Sequence, residues 1–289
     1  MQNFKNVNLD AGLYFVATPI GNARDVSLRA LDILASADVL VAEDTRSLRK
    51  LLDIHGVPVK GRFVMSYHDH SAQRDRERVF DSISKGQSVA YASEAGTPLI
   101  ADPGYQLSRY AAEHNVPLTS APGSSAVLCA LTLAGLPTDS FFFAGFLPSA
   151  SKARLTKLSE YQKVPATLVF YETSRRLVPA LEDMCKTLGP DRPAALCREL
   201  TKKFEEVRRG TLDTLLQGAK ENAARGECVL VVDRGDKEKI KESDLQLALD
   251  TALQTMSLRD ASETVSKAYG VPKRDVYQMA LARGKNAQK

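Results

Sequence analysis

The sequence predicts an α/β protein with two α/β domains and a small all-α segment at the C-terminal end. Short apolar runs alternate with amphipathic segments of helix length over most of the 289 residues, of which 44% are hydrophobic. The apolar runs are hydrophobic on both faces, which is typical of largely parallel sheets covered by helices. A chain of this length exceeds one small core, so two domains are expected.

The first half contains five strand patterns separated by helical patterns. The predicted strands cover residues 13–17, 39–43, 62–68, 88–93 and 117–123. The predicted helices cover residues 25–36, 46–56, a charged segment ending at Gly86, and 105–114. A junction at 121–140 holds a strand end, a helix and a Gly-Leu-Pro stop, so a domain boundary is predicted near residue 120.

The second half repeats the alternation. Its predicted strands cover residues 141–148, 166–172, 194–200, 204–210 and 227–233. Its predicted helices cover 174–188 and 211–222. The expected domains are therefore 1–120 and 121–236, followed by a linker and helical tail at 237–289.

The tail contains helical patterns at 243–254, 258–269 and 272–283. Gly270 is a helix stop signal and Pro272 is a helix start signal. A tight turn is therefore predicted between the last two helices. This pattern is compatible with a helix-turn-helix. It is equally compatible with a helical cap that packs Val265, Ala268 and Tyr277 on the main body.

Composition excludes several classes of protein. The net charge of +4 is compatible with nucleic-acid binding but does not argue for it. The four cysteines form no C-x-x-C pair, which favours reduced, buried thiols over disulfides or a metal site. No apolar run resembles a signal peptide or a membrane span, so a cytoplasmic protein is expected. The sequence also lacks G-x-G-x-x-G, the P-loop, H-E-x-x-H and G-x-S-x-G.

Five polar loops follow the five predicted strands of the first half. They are 18–22, 42–46, 67–70, 93–104 and 121–126. Turns need Gly, Pro and Asp for backbone reasons, so one such loop would mean little. Ligands of open α/β sheets bind beyond the carboxyl ends of the strands, and five such loops at one edge favour a ligand site there.

Eight motifs carry a family resemblance. They are ATPIGN, AEDTR, SEAGTPLIADPG, PGSSA, GFLP, FYETSRR, RELTK and GECVLVV, in this order. Together they resemble the bacterial small-subunit ribosomal RNA 2′-O-methyltransferases, which belong to the tetrapyrrole-methylase-like, S-adenosylmethionine-dependent enzymes. The resemblance covers residues 12 to 284. One departure is visible, because this chain has Glu94 where the family usually has Asp.

The resemblance implies two α/β domains with S-adenosylmethionine in the cleft between them. It implies methyl transfer to the ribose 2′-hydroxyl of a cytidine in the decoding region of 16S rRNA, by a homodimer. Carried over residue by residue, it places cofactor contacts at Pro19, Gly21, Ser93, Glu94, Ala95, Gly96, Thr97, Ser125, Ala126, Tyr171 and Cys228. The motif ADPG at 101–104 is interpreted as a turn that fixes the preceding loop.

A ribose hydroxyl requires a base or strong acceptor within hydrogen-bond reach. The candidates are Glu43, Asp44, His68, Asp69 and Glu94. Asp44 with Arg46 is the preferred pair, since the arginine could hold the carboxylate or bind a phosphate. Asp44 could equally cap the helix that follows it. His68 and His70 could form a metal pair or belong to a surface loop, and no metal is expected because a sulfonium is already an activated leaving group.

Basic residues could bind RNA phosphates. The preferred candidates are Arg175, Arg176, Arg198 and Lys202, which follow strand ends, with Lys273 and Arg274 in the tail. Other basic residues cluster at 151–157. Aromatic residues are scarce at 7%, which favours recognition of rRNA in an assembled small subunit.

Two alternatives remain at this point. The same fold could methylate a tetrapyrrole or another small molecule, because fold alone does not decide the substrate. The chain could also be a DNA-binding regulator that uses residues 258–283 as its reader.

Overall fold

The structure is a computed structural model that describes residues 3–59, 61–68, 73–222, 225–235, 242–269 and 271–286. The chain divides into two compact units, Met1–Arg234 and Gly235–Lys289. The first unit contains two five-stranded sheets and the second contains helices. The predicted division of the first unit near residue 120 remains a prediction.

The first sheet is parallel throughout, as predicted. Its strands are β1 (Gly12–Val16), β2 (Val39–Ala42), β3 (Phe63–Ser66), β4 (Ser88–Ala92) and β5 (Leu118–Ala121). They are ordered β3-β2-β4-β1-β5. The connecting helices are α1 (Leu28–Ser36), α2 (Thr45–Ile54), α3 (Gln73–Ser84) and α4 (Tyr105–Glu113).

The first sheet is buried on both faces. One face packs Leu40 and Ala90 against Leu34 of α1 and Leu52 of α2. The other face packs Tyr91 with helices α3 and α4. Strand β4 is buried at every position because it lies in the middle of the sheet. Because helices cover both faces, the described loops at the strand ends are the parts of this sheet best placed to contact a ligand.

Helix α1 begins later than predicted. A 3-10 turn covers Ala23–Asp25, and the α-helix starts at Leu28. The side chain of Ser27 caps it by accepting a hydrogen bond of 3.1 Å from the N–H of Ala30.

The second sheet is mixed, so the prediction of largely parallel strands is wrong for this half. Its strands are β6 (Phe141–Phe146), β7 (Thr167–Thr173), β8 (Pro193–Arg198), β9 (Glu206–Thr211) and β10 (Glu227–Val232). They are ordered β6-β7-β10-β8-β9, with only β6 and β7 paired in parallel. Residues 199–205 join β8 to β9 and are too few for a crossover helix, so these two strands are antiparallel.

Four helices accompany the second sheet. They are α5 (Ala126–Ala134), α6 (Ser151–Tyr161), α7 (Leu177–Leu188) and α8 (Leu212–Glu221). Helix α5 packs Val127 and Leu131 on one face of the sheet, against Ala195 and Val231. The loop before α5 therefore reaches from the end of β5 to the face of the second sheet.

The second unit forms a core of its own. Its helices are α9 (Glu242–Leu253), α10 (Leu258–Tyr269) and α11 (Lys273–Asn286). Leu249, Val265 and Val276 are buried together in one cluster. Val265 therefore serves the core of the tail, whereas Ala268 and Tyr277 are exposed. Gly270, the predicted helix stop, lies outside the described residues. No helix in the part of the chain that the structure describes has the length and apolar character of a membrane span.

Candidate active site

The loops after β1 and β4 are joined by their backbones. The N–H of Thr18 donates to the carbonyl of Gly96 at 2.9 Å, and the N–H of Gly96 donates to the carbonyl of Thr18 at 3.0 Å. The buried Ser93 hydroxyl donates to the same Gly96 carbonyl at 2.6 Å. The Thr97 hydroxyl donates to the carbonyl of Ser124 at 3.1 Å, which ties in the loop after β5. Three loops predicted to share a sheet edge thus form one connected surface.

The loop after β4 has an unusual backbone. Gly96, Leu99, Ala101 and Gly104 all have positive φ values, between 59° and 117°. Leu99 and Ala101 are not glycines, so this conformation costs each of them roughly 1–2 kcal/mol. The Tyr91 hydroxyl donates to the carbonyl of Pro103 at 3.1 Å and helps to hold the loop in this shape.

The loop after β1 also touches the loop between β8 and β9. The N–H of Asn22 donates to the Thr201 hydroxyl at 3.1 Å. A Cβ at Gly21 would lie 2.5 Å from Lys202 Cγ and 2.7 Å from Thr201 Oγ1. Gly21 is therefore required for the close approach of the two loops, because any side chain would clash there.

A first cavity, called here the cleft cavity, has a volume of about 330 Å³ and lies between the two sheets. Its lining includes seven of the predicted cofactor contacts. These are Ala95, Gly96, Thr97, Ser125, Ala126, Tyr171 and Cys228. Its charged lining residues are Asp102, Glu172 and Glu227, and its described lining contains no Lys or Arg. Glu172 pairs with Arg176 and Glu227 with Lys202 outside this lining, so the lining itself places acidic and no basic side chains against a ligand.

A second cavity, called here the α2 cavity, has a volume of about 290 Å³ and lies between the first loop and helix α2. It is lined by the other predicted cofactor contacts Pro19, Gly21, Ser93 and Glu94, together with Ala95. Helix α2 contributes Ser47, Lys50 and Ile54. Ile20 and Ala95 line both cavities, so the two spaces adjoin.

Two side chains of the cleft cavity are kept neutral by burial. Burial raises the pKa of Tyr171 to about 12, and the Asp102 charge adds to this shift. Burial raises the pKa of the Cys228 thiol to about 11. Both groups are therefore uncharged at neutral pH and offer the cavity a phenol and a thiol for ligand binding and packing.

Asp44 is bound tightly by Arg46. Its Oδ1 accepts from the backbone N–H of Arg46 at 2.8 Å, which caps helix α2, and its Oδ2 accepts from Arg46 Nη2 at 2.9 Å. The Arg46 side chain holds the pKa of Asp44 down at about 2. A carboxylate with so low a pKa is a weak base at neutral pH. This geometry favours a capping and positioning role for Asp44.

The remaining candidates for a base differ in position. Glu94 is exposed and lines the α2 cavity next to the boundary residue Ala95. Its charge also acts on Arg46. Glu43 and His68 line neither cavity, and Asp69 and His70 lie outside the described residues. No group of His, Cys, Asp or Glu that could hold a metal ion occurs within the described ranges.

Comparison with known proteins decides the family. Residues 12–216 match the tetrapyrrole (corrin/porphyrin) methylases, and residues 241–284 match the RsmI C-terminal HTH domain. The chain belongs to the tetrapyrrole methylase family. Its tail is thus a helix-turn-helix domain, as one of the two sequence interpretations predicted, and the chain is an S-adenosylmethionine-dependent methyltransferase.

Curated relatives match this member of the family over nearly its whole length. The ribosomal RNA small subunit methyltransferase I of Mesorhizobium japonicum is 43% identical over 94% of this chain and 92% of its own. The protein of the same name from Escherichia coli O157:H7 is 40% identical over 95% of this chain and 96% of its own.

Solved structures show the same fold. Uroporphyrin-III C-methyltransferase from Thermus thermophilus, complexed with S-adenosylhomocysteine, has a TM-score of 0.53 at 19% identity, over 77% of this chain and 97% of its own. Diphthine synthase has a TM-score of 0.59 at 18% identity, over 76% of this chain and 89% of its own.

Most of the residues predicted to bind RNA form ion pairs within the protein. Arg176 pairs with the buried Glu172 at 3.2 Å, and Arg198 Nε donates to Glu206 at 3.0 Å. Lys202 Nζ contacts Glu199 and Glu227, each at 2.9 Å.

The other predicted basic residues differ in their pairing. Lys273 pairs with Glu263 at 2.5 Å. Arg175 and Arg274 are exposed and have no ion pair among the described residues. In the segment 151–157, Arg154 is buried, which excludes it as an RNA contact.

Several lining residues were missed by sequence reasoning. The ADPG motif predicts a turn at Asp102, and the structure also places Asp102 in the lining of the cleft cavity. Glu172 and Glu227 lie inside two of the eight motifs, so their position in those motifs was an available signal. Lys50 belongs to no motif, and only the helical spacing after Asp44 could have pointed to it.

Gly96→Ala tests the joined loops. Gly96 has φ +82°, and an added Cβ would lie 3.2 Å from Ile20 Cγ2 at the boundary of the two cavities. We expect the Kd for S-adenosylmethionine to rise about tenfold, measured by calorimetry. Gly86→Ala is the matched control, because Gly86 has φ +84° and open space around its Cβ position. Equal Kd values in the two variants would contradict the role of Gly96.

Proposed function

We propose that this protein transfers the methyl group of S-adenosylmethionine to the ribose 2′-hydroxyl of a cytidine in the decoding region of small-subunit ribosomal RNA. The observation that carries the proposal is the cleft cavity, where seven of the expected cofactor contacts meet beside a second cavity at the same sheet edge. The relatives named for small-subunit rRNA methylation support RNA as the acceptor.

The residues of the cleft cavity fit the methyl donor. S-adenosylmethionine carries a sulfonium and an ammonium, and the charged residues of this lining are carboxylates. Oε2 of Glu172 is buried and has no hydrogen-bond partner among the described residues, so a ligand can supply one. The volume of about 330 Å³ lies in the usual range for small-molecule sites of about 300–1,000 Å³. We infer that the donor lies against the backbone of 95–97, Ser125, Ala126, Tyr171 and Glu172.

The bound donor supplies an activated methyl group, because its sulfonium leaves as a neutral thioether. The chain's own residues must then hold the acceptor hydroxyl in line and accept its proton. We assign proton acceptance to Glu94, which lines the α2 cavity beside Ala95. Asp44 keeps Arg46 in place through their paired contacts, so both act as positioning residues.

The test uses labelled S-adenosylmethionine with small ribosomal subunits, naked rRNA and a tetrapyrrole precursor in parallel. We expect label in the rRNA of small subunits, as a 2′-O-methylcytidine that survives alkaline hydrolysis as a dinucleotide. Label in the tetrapyrrole alone would establish the small-molecule alternative. Label in no RNA sample would refute the proposal.

The proposal includes a homodimer in the cytoplasm. Light scattering after size-exclusion chromatography tests the assembly. A single protomer mass at micromolar concentration would contradict the dimer and leave the methyl-transfer proposal standing.

A further inference from the structure

The two cavities differ in charge. The cleft cavity is lined by carboxylates and by no Lys or Arg among the described residues. The α2 cavity is lined by Lys50 and Glu94. A cationic donor is favoured in the first space, and an anionic group is favoured beside Lys50 in the second.

Lys50 is the one basic residue in the described lining of the α2 cavity, and it differs from the paired cations near this edge. Arg46 is paired with Asp44, Arg198 with Glu206, and Lys202 with two glutamates. Lys50 is exposed and forms no ion pair among the described residues. Its ammonium can therefore meet a ligand without breaking an internal contact, which avoids the cost of leaving a carboxylate unpaired.

The surrounding face of α2 offers the other groups that a nucleotide needs. Ser47, Lys50 and Ile54 line the same cavity at helical spacings of three and four residues. They provide a hydroxyl, a cation and an apolar side chain that is 53% exposed. A phosphate, a sugar and a base require these three kinds of contact.

We propose that the α2 cavity receives the acceptor nucleotide, with Lys50 on its phosphate and its ribose toward the boundary at Ile20 and Ala95. The inference rests on the proposed function, because it takes the acceptor to be RNA. According to this proposal, the main RNA contact lies on helix α2 and not on the paired cations of the second sheet. The base then lies along Ile54, and Glu94 lies on the path of the hydroxyl proton.

Lys50→Met tests the phosphate contact in the full chain. We expect KM for small subunits to rise about five- to tenfold, and the slope of log(kcat/KM) against log salt to fall by about one. The Kd for S-adenosylmethionine should stay at the wild-type value. Lys163→Met is the matched control, since Lys163 is also exposed and precedes the start of β7, whereas the cleft residues Tyr171 and Glu172 lie near the end of that strand. The control should keep the wild-type KM and salt slope.

A second variant tests whether the acceptor nucleotide occupies the α2 cavity. Ser47→Phe places a large side chain in the α2 cavity, and we expect it to raise KM for subunits at least tenfold without weakening donor binding. Wild-type KM and salt slope in Lys50→Met, or wild-type KM in Ser47→Phe, would overturn the inference while RNA labelling by the wild type stands. Absence of labelling by the wild type would instead overturn the proposed function, and this inference with it.

Discussion

Glu94→Gln lowers kcat for RNA methylation by about two to four orders of magnitude, the range that a general base contributes. The amide is nearly isosteric but does not accept a proton at neutral pH. Glu94 is exposed in the α2 cavity, so its replacement leaves the fold intact. Single-turnover rates at saturating donor and small subunits measure the effect.

Two comparison variants make this prediction specific. Glu94→Asp keeps a carboxylate and should retain at least a tenth of the wild-type rate. Asp44→Asn should lose less than Glu94→Gln, because Asp44 positions Arg46 and its pKa of about 2 makes it a weak base. If Asp44→Asn is inactive and Glu94→Gln retains most of the rate, the roles are reversed.

Arg154→Met lowers the free energy of unfolding by about 3–5 kcal/mol, as expected when one partner of a buried ion pair is removed. Arg154 and Asp183 are 4% and 3% exposed and their side chains meet at 2.7 Å. Arg154 also donates to the carbonyl of Ser149 at 3.0 Å, and the Ser151 hydroxyl donates to Asp183 at 2.8 Å. Denaturant unfolding measures the loss.

Arg109→Met provides the contrast. Arg109 pairs with Glu113 one helical turn away, and both side chains are more than half exposed. Its removal should leave the free energy of unfolding close to the wild-type value, because exposed ion pairs are screened by water. The double variant Arg154→Met, Asp183→Leu should recover part of the lost stability, because it no longer buries a carboxylate that has lost its arginine partner. A loss below about 1 kcal/mol in Arg154→Met would contradict the buried-pair interpretation.

The elements of the fold were largely predictable because each strand combines a short apolar run with a polar loop. The directions of the strands in the second sheet were not predictable from the sequence. They depend on the length of the β8–β9 connection and on pairings such as Cys228 with Arg198, which no local pattern reports. The start of α1 was misplaced because a 3-10 turn precedes the Ser27 cap.

The candidate site was predicted in part. The loops were identified by their turn residues and their motifs, and the structure brings them around two adjoining cavities. The sequence does not show which cations are free to bind a ligand, because Glu206, the partner of Arg198, and Glu227, one partner of Lys202, lie on other strands. Arg154 was placed in a basic surface segment for the same reason. An amphipathic pattern does not reveal a carboxylate on a neighbouring helix.

The left-handed backbone conformations in the loop after β4 have a thermodynamic consequence. Strained conformations at Leu99 and Ala101 persist only where the surrounding structure holds them in place. The loop is held in this shape by contacts within the protein, such as the Tyr91 hydroxyl on the carbonyl of Pro103, so the cost of ordering it belongs to folding. Donor binding should then carry no entropic loss for immobilising this segment, so affinity in the cleft is governed by contacts and desolvation.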